Sequence, residues 1–234
     1  MNILITGTSR GIGYQTALEL ASREGCCVFA LSRNQNKLNE LRLQILQHHP
    51  GARIVPLLFD LEKGNFSELR ETIRRDAESI DVLINNAAAI LVKPFEEQTE
   101  AEFAAVYQLN VIRTASLIRT MLPLMKGGKA HIVNISSMGG FQGAAKFAGL
   151  SAYSSSKAAL AGLTECLAEE FKEKQIAVNC LCLGAVQTEM LEEAFPGYKT
   201  PVTPASMASY IADFALNGSR YFNGKIIPVS LSTP

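Results

Sequence analysis

The sequence has no excess of charge of either sign. Lysine and arginine together number 22, and so do aspartate and glutamate, so the formal net charge is zero at pH 7. Proteins that bind nucleic acid or an anionic membrane surface usually carry a basic excess. We therefore expect a small-molecule partner, and neither a nucleic acid nor a membrane.

Long hydrophobic runs are also missing. A membrane-spanning helix needs roughly 20 consecutive apolar residues, whereas the longest candidate, residues 176–186, is interrupted by Asn179. A strand-like run begins at Asn2, which leaves no room after Met1 for a secretory leader. These absences predict a protein that is not exported and works in the cytoplasm.

The cysteines lack the spacing of a metal site or a redox pair. They form no C-x-x-C pair, and none is spaced to share a metal ion with a histidine. We therefore expect no metal and reduced, free thiols. The cysteines are Cys26, Cys27, Cys166, Cys180 and Cys182.

The chain alternates short apolar runs with segments of helical spacing. Its 234 residues, 47% of them hydrophobic, can bury the core of one domain spanning 1–234. The pattern predicts an α/β fold, a doubly wound parallel sheet of seven strands with helices on both faces, and a ligand at the carboxyl ends of the strands. The strands are predicted at 2–6, 27–31, 53–59, 82–84, 131–135, 176–181 and 226–229, and the helices at 12–24, 35–46, 66–79, 100–121, 151–171 and 204–216.

A glycine-rich turn joins the first strand to the first helix. Residues 6–13 read Thr-Gly-Thr-Ser-Arg-Gly-Ile-Gly. Glycines permit a sharp turn and a close approach to a pyrophosphate, and a helix N-terminus offers free N–H groups. The turn therefore predicts a dinucleotide site, with cofactor-binding residues Gly7, Ser9, Arg10, Gly11, Ile12 and Gly13.

The end of the second strand indicates which dinucleotide binds. Sites for NAD(H) usually have an acidic residue there, but residues 31–34 read Leu-Ser-Arg-Asn. Arg33, assisted by Arg10, can instead pair with a 2′-phosphate. Either arginine alone could be an ordinary surface charge, but together they favour NADP(H) over NAD(H).

Tyr153 and Lys157 lie four residues apart in a predicted helix, and therefore on one face of it. An isolated phenol has a pKa of about 10, and a nearby ammonium favours the phenolate. The pair is therefore a candidate proton-transfer device. Taken alone, the motif also fits an ordinary helix with an exposed lysine.

The ordered set of motifs resembles the short-chain dehydrogenase/reductase family over essentially the whole chain. The set comprises the glycine turn, Asn86 with its neighbours at 85 and 87, Asn110, Ser137, and Tyr153 with Lys157. The resemblance implies a Rossmann-type, three-layer α/β/α sandwich and a nicotinamide cofactor. The 3-oxoacyl-carrier-protein reductase group is the most similar part of the family.

The resemblance also implies roles for single residues. Tyr153 would be the general acid or base, and Ser137 would polarise the substrate carbonyl. Lys157 would bind the nicotinamide ribose and lower the pKa of Tyr153, while Asn110 would connect a water relay to Lys157. The remaining cofactor contacts implied by the resemblance are Asp60 and Leu61 beside the adenine, Asn86 beside the ribose, Thr188, and Tyr153 itself.

These residues predict an NADP(H)-dependent oxidoreductase that acts on a carbonyl or a secondary alcohol. The substrate is left open between a 3-oxoacyl thioester and a small free ketone or quinone. A non-catalytic dinucleotide-binding regulator is the alternative function, although it would not need all four catalytic candidates. The segment between Ser137 and Tyr153 is longer than the family pattern, and the stretch 188–204 is shorter, so the chain departs from the family mainly around the substrate.

Two further expectations concern partners. Family members pair through the helices at 100–121 and 151–171, so we expect a homo-oligomer, a dimer or a tetramer. The apolar positions there are Phe103, Val106, Leu117, Leu160, Leu163 and Leu167. An acyl carrier would need a basic landing site near the active-site mouth, for which the candidates are Lys126, Lys129, Lys172 and Lys174.

Overall fold

The computed structural model describes residues 1–126, 128 and 130–231. The strands are β1 (Asn2–Thr6), β2 (Cys27–Ser32), β3 (Arg53–Leu58), β4 (Val82–Asn85), β5 (His131–Ser137), β6 (Ala177–Leu183) and β7 (Ile226–Val229). The helices are α1 (Gly11–Ala21), α2 (Gln35–His48), α3 (Phe66–Asp76), α4 (Glu100–Tyr107), α5 (Thr114–Met121), α6 (Ser151–Glu170), α7 (Glu189–Ala194) and α8 (Pro204–Asn217).

The strands form one seven-stranded sheet in the order β3-β2-β1-β4-β5-β6-β7. Every neighbouring pair is parallel. The predicted doubly wound α/β fold is therefore confirmed. The chain reverses its direction of travel across the sheet between β1 and β4, and in such folds the ligand binds at this switch point.

Both faces of the sheet are covered, which explains why its strands read as continuous apolar runs. All of β2 and β4 is buried, as expected for a parallel sheet between two helix layers. Ile3 and Ile5 belong to the cluster that also contains residues of α1, α2 and α8. Leu4, between them, belongs to the cluster on the other face, with residues of α3 and α5.

The predicted helix at 100–121 is not continuous. It consists of α4 and α5 joined by a π-helical segment, Gln108–Arg113. Within this segment the Asn110 amide bonds both backbone groups of Ala89, and the Arg113 guanidinium bonds the carbonyl oxygens of Leu61 and Gly64. These distant contacts hold the widened turn, which helical periodicity alone could not indicate.

The stretch 188–204 was predicted without a helix, but it contains α7. Thr188 caps this helix, because its Oγ1 accepts a hydrogen bond of 3.2 Å from the backbone N–H of Leu191. The helix has only six residues, so its apolar periodicity is too short to recognise. Across the described ranges, the structure contains no helix that is both long and apolar enough to cross a membrane.

Candidate active site

A cleft of ≈ 340 Å³ opens at the carboxyl ends of β1, β4 and β5. It contains the predicted catalytic side chains Ser137, Tyr153 and Lys157. The predicted cofactor residues also line it, and these are Gly7, Ser9, Arg10, Gly11, Ile12, Gly13, Arg33, Asp60, Leu61, Asn86 and Thr188. The fold therefore gathers residues from widely separated parts of the sequence at the expected switch point.

The glycine turn is packed directly against the start of the loop after β4. Gly7 has a φ of 74°, which is left-handed and costly for any residue with a Cβ. A Cβ on Gly13 would lie 2.2 Å from the Gly7 carbonyl oxygen and 2.3 Å from Asn86 Nδ2. The Asn86 amide donates to the carbonyl oxygens of Thr6 and Gly7, at 3.0 and 3.3 Å. Asn86 thus fixes the shape of the turn as well as lining the cleft.

Both arginines proposed for a 2′-phosphate form ion pairs at the surface. Arg10 Nη1 lies 3.1 Å from Glu193 Oε1, and Arg33 Nη1 lies 3.5 Å from Glu62 Oε2. The Arg33 side chain is 73% exposed, and exposed pairs of this kind contribute little to stability. Both cations therefore remain able to exchange a carboxylate partner for a phosphate.

Helix α6 carries Tyr153 and Lys157 from its first turns into the cleft. Lys157 Nζ lies 5.8 Å from the centroid of the Tyr153 ring and donates a hydrogen bond of 2.7 Å to the carbonyl oxygen of Ile135. Ser137, at the end of β5, lies close enough to the Tyr153 hydroxyl to influence its pKa, and both side chains line the cleft. The structure thus brings the hydroxyl, the phenol and the amine together as predicted.

The expected lowering of the Tyr153 pKa by Lys157 is wrong for this structure. Burial raises the pKa of Tyr153 to about 12, and the Ser137 hydroxyl offsets only part of that rise. Burial also lowers the pKa of Lys157 to about 8, although the neighbouring Cys180 and Cys182 thiols oppose this. Desolvation is the largest influence on both groups, so Tyr153 keeps its proton at neutral pH.

Asn110 lies behind the cleft rather than in its lining. Its amide nitrogen donates at 2.9 Å to Ser156 Oγ and to the Ala89 carbonyl oxygen. Ser156 in turn donates to the Tyr153 carbonyl oxygen at 2.7 Å. Asn110 therefore contacts the residue that precedes Lys157 in the chain, and its hydrogen bond to Ser156 ties the π-helical segment to α6.

Sequence reasoning missed the residues that close the cleft on the side of Tyr153. Phe147 comes from the loop before α6 and Phe195 from the end of α7, and both line the cleft. Their ring centroids lie 5.2 Å apart at an interplanar angle of 77°. Only the unusual length of the loop indicated that this side would differ. Neither phenylalanine stands in a recognisable motif.

The lysines predicted to bind an acyl carrier lie at the end of the molecule opposite the cleft. Helix α6 has 20 residues and starts at the cleft, so at 1.5 Å per residue Lys172 and Lys174 lie about 25–30 Å away from it. Lys126 precedes β5 at the same far edge and pairs weakly with Glu78, at 3.9 Å. Lys129 lies outside the described residues.

In the described ranges there is no cluster of three or more His, Cys, Asp or Glu side chains that could hold a metal ion.

Comparison with protein families finds a match to the short chain dehydrogenase model over residues 1–199. The chain is 33% identical over 192 residues to a fatty acyl-CoA reductase of Acinetobacter baylyi, covering 80% of this chain and 63% of that protein. It therefore spans slightly less than two thirds of that relative. It is 34% identical over 199 residues to the uncharacterized oxidoreductase YciK of Escherichia coli, covering 83% of this chain and 77% of the relative.

A third relative is a 3-oxoacyl-acyl-carrier-protein reductase of Chlamydia trachomatis, 27% identical over 97% of this chain and 94% of its own. Among solved structures, a short chain dehydrogenase of Escherichia coli complexed with NADPH superposes with a TM-score of 0.88. It is 29% identical, and the match covers 97% of this chain and 95% of that one. The names of these relatives agree on oxidoreductase chemistry and differ in substrate.

Proposed function

The chain belongs to the short chain dehydrogenase family of oxidoreductases, and from this premise we propose that it transfers a hydride between NADP(H) and a carbonyl compound or the corresponding secondary alcohol. The observation that carries the proposal is the meeting of Ser137, Tyr153 and Lys157 with the glycine turn in one cleft. A hydrolase or a simple binding module has no need of this combination.

Several observations support NADP(H) as the cofactor. The glycines let the turn pack closely against Asn86 and Ala87, and the N-terminus of α1 directs free N–H groups and a positive dipole into the cleft that the turn lines. Arg10 and Arg33 supply two cations beside this turn for a 2′-phosphate. Two of the similar solved structures contain NADP or NADPH.

The catalytic roles follow from the protonation states of the side chains. With its pKa raised to about 12, Tyr153 holds its proton at neutral pH and can donate it to the substrate oxygen. Ser137, beside it, stabilises the negative charge that develops on that oxygen. Lys157, held at the Ile135 carbonyl and 5.8 Å from the centroid of the Tyr153 ring, would bind a ribose hydroxyl of the cofactor. When bound, the nicotinamide supplies or accepts the hydride.

A 3-oxoacyl thioester is the alternative substrate class to a small free ketone. It is supported by the relatives that are named as reductases of acyl-CoA and of 3-oxoacyl carrier protein. Their identities of 33% and 27% leave room for a different substrate on the same scaffold. The regulator hypothesis receives no support from the cleft, since a sensor does not need a buried phenol beside a buried amine.

We predict that Tyr153→Phe abolishes nearly all turnover, by about a hundredfold or more, because it removes the proton donor. NADPH affinity should stay close to that of the wild type, because the phenol is not one of the main cofactor contacts. Steady-state rates on a panel of ketones, quinones and β-ketoacyl thioesters, together with NADPH fluorescence titration, measure both quantities. Tyr221→Phe, at an exposed position, is the matched control. Substantial turnover by Tyr153→Phe at neutral pH would contradict the assignment.

A further inference from the structure

We propose that Phe147 and Phe195 form an aromatic clamp for an uncharged, apolar carbonyl substrate that reaches the cleft free in solution and not on an acyl carrier. This inference rests on the proposed function, because it concerns the substrate of the same site. It assigns the two side chains a binding role and excludes substrates that carry a negative charge near the reacting carbonyl.

The first support is the geometry of the two rings. Phe147 and Phe195 belong to separate segments, one before α6 and one after α7, yet they meet edge to face across the cleft that contains Tyr153. Both side chains are half-buried. The two rings contact each other in this structure, so an apolar group that enters between them must part them and replaces their mutual contact with a contact to each ring. Such a group beside the carbonyl would be held from two sides.

The surrounding lining is apolar as well. Met138 follows Ser137 directly, and Leu150 precedes α6. Met190 and Leu191 come from α7 and line the same cleft. An apolar lining binds by removing apolar area from water and gives nothing to a charged group in return. This end of the cleft therefore selects against carboxylates and phosphates.

The second support is that the cationic side chains in the cleft lining already have partners within the protein. Of the described residues that line the cleft, the cationic ones are Arg10, Arg33 and Lys157. Arg10 and Arg33 lie at the dinucleotide end, where each pairs with a glutamate. Lys157 is buried and donates to a backbone carbonyl. None of the three lies on the two segments that carry Phe147 and Phe195, and each already has a partner.

The cations around the mouth are engaged in the same way. Lys146, next to Phe147, donates to two carbonyl oxygens of its own loop, at 2.7 and 3.0 Å. Lys93 lies 3.0 Å from Glu102, and Lys199 lies 3.9 Å from Glu192.

Helix α7 carries Glu189, Glu192 and Glu193 and no cation of its own, and Glu193 and Glu192 pair with Arg10 and Lys199. An acidic carrier or a phosphate-bearing thioester would have to displace these two glutamates from their cations and would meet Glu189 in the cleft lining as well. A free neutral ketone would not.

The test compares matched substrates on the full-length protein with NADPH. The substrates are acetophenone, its carboxylate analogue 4-acetylbenzoate, and acetoacetyl groups on a short thioester and on an acyl carrier protein. We expect kcat/KM for acetophenone to exceed that for 4-acetylbenzoate about tenfold or more, and the carrier to give no advantage over the short thioester at low salt. Equal or better turnover of the carboxylate, or a salt-sensitive advantage of the carrier, would overturn the inference.

Variants test the clamp itself. Phe147→Ala and Phe195→Ala should each raise KM for acetophenone about tenfold, with little change in kcat or in NADPH affinity. Phe147→Leu should retain most of the affinity, and Phe95→Ala, at an exposed phenylalanine outside the cleft lining, should behave as wild type. An unchanged KM in both alanine variants would refute the clamp.

The NADPH titration separates the two failures. A protein that does not bind NADPH, or that reduces no carbonyl compound at all, contradicts the proposed function. A protein that binds NADPH and reduces charged or carrier-linked carbonyls while leaving neutral ketones unchanged contradicts only the clamp.

Discussion

At the scale of single residues, the two arginines proposed to bind a 2′-phosphate already have carboxylate partners. Arg10 and Arg33 are paired with Glu193 and Glu62, so neither is an uncompensated charge. Both pairs are exposed, and exposed ion pairs contribute at most about 1 kcal/mol. A phosphate with its double charge and three acceptor oxygens can therefore displace the carboxylates.

We predict that Arg33→Asp shifts the cofactor preference toward NADH. The substitution removes one charge-assisted hydrogen bond, which contributes about 1.5–3 kcal/mol, and adds a repulsive charge. The ratio of kcat/KM for NADPH to that for NADH should fall by about tenfold or more. Kinetic titration of wild type and variant with both cofactors measures this ratio.

Arg42→Asp is the control for Arg33→Asp, because it makes the same change of charge on the exposed surface of α2 and outside the cleft lining. It should leave the ratio unchanged. If Arg33→Asp also left the ratio unchanged, Arg33 would be an ordinary surface charge, which is the alternative that the sequence left open.

Single residues at the cofactor end could be predicted because their signals are local. The glycine turn can be recognised from residues 6–13 alone. The four-residue spacing of Tyr153 and Lys157 places them on one face of any helix. The pKa of Tyr153 could not be predicted in this way. It depends on how much protein covers the phenol, and that cover comes from segments far away in the sequence.

At the scale of elements, the strands were predictable and the irregular segments were not. A strand buried on both faces is mainly apolar, as β2 and β4 are, so the sequence marks it clearly. The π-helical segment depends on contacts of Asn110 with Ala89, 21 residues away, and of Arg113 with Leu61, 52 residues away. The substrate end is likewise formed by loops that meet only in the folded chain, as Phe147 and Phe195 do.

His131 shows how a single side chain can join several elements. At the start of β5, its Nδ1 lies 3.0 Å from the carbonyl oxygen of Ala215 on α8, and its Nε2 lies 3.0 Å from the amide nitrogen of Asn179 on β6. The ring is fully buried. Nδ1 can donate and Nε2 can accept only if the imidazole is neutral, so protonation breaks one of the two contacts.

We predict that the stability of the fold depends on pH through His131. Burial lowers its pKa from 6.5 to about 4 in the folded protein, so the unfolded chain binds the proton more readily. Stability contributed by the neutral ring is therefore complete above pH 6.5 and is lost as the pH falls toward 4. The free energy of unfolding should decrease by roughly 2–3 kcal/mol between pH 7 and pH 4.5 from this group alone.

Urea unfolding of wild type and His131→Gln at both pH values isolates the effect, since the variant cannot titrate in this range. His48→Gln, at an exposed histidine of α2, is the control and should keep the wild-type dependence. An NMR titration that gave His131 a pKa near 6.5 in the folded protein would contradict the prediction, whether or not the glutamine variant folds.

At the scale of the whole molecule, the outer surfaces of α4, α5 and α6 are those through which two copies of the chain were predicted to pair. Of the apolar positions predicted to pair with another copy, Val106, Leu117 and Leu160 are buried within the chain itself and only help to cover the sheet. The other three, Phe103, Leu163 and Leu167, are half-buried. Ile112, in the π-helical segment, is 50% exposed. An apolar surface thus remains beside these helices, smaller than the sequence suggested.

We predict that the protein is a homo-oligomer, a dimer or a tetramer, that pairs through this surface. Light scattering at micromolar concentration should give two or four times the 25.4 kDa of one chain. Ile112→Glu should weaken the assembly, because it places a charge among apolar residues that association would remove from water. Leu43→Glu is the control, since Leu43 is 69% exposed on α2, away from these helices. A mass near 25.4 kDa for the wild type would show that the apolar residues only cover the sheet. Assembly that both glutamate variants retain would locate the interface elsewhere.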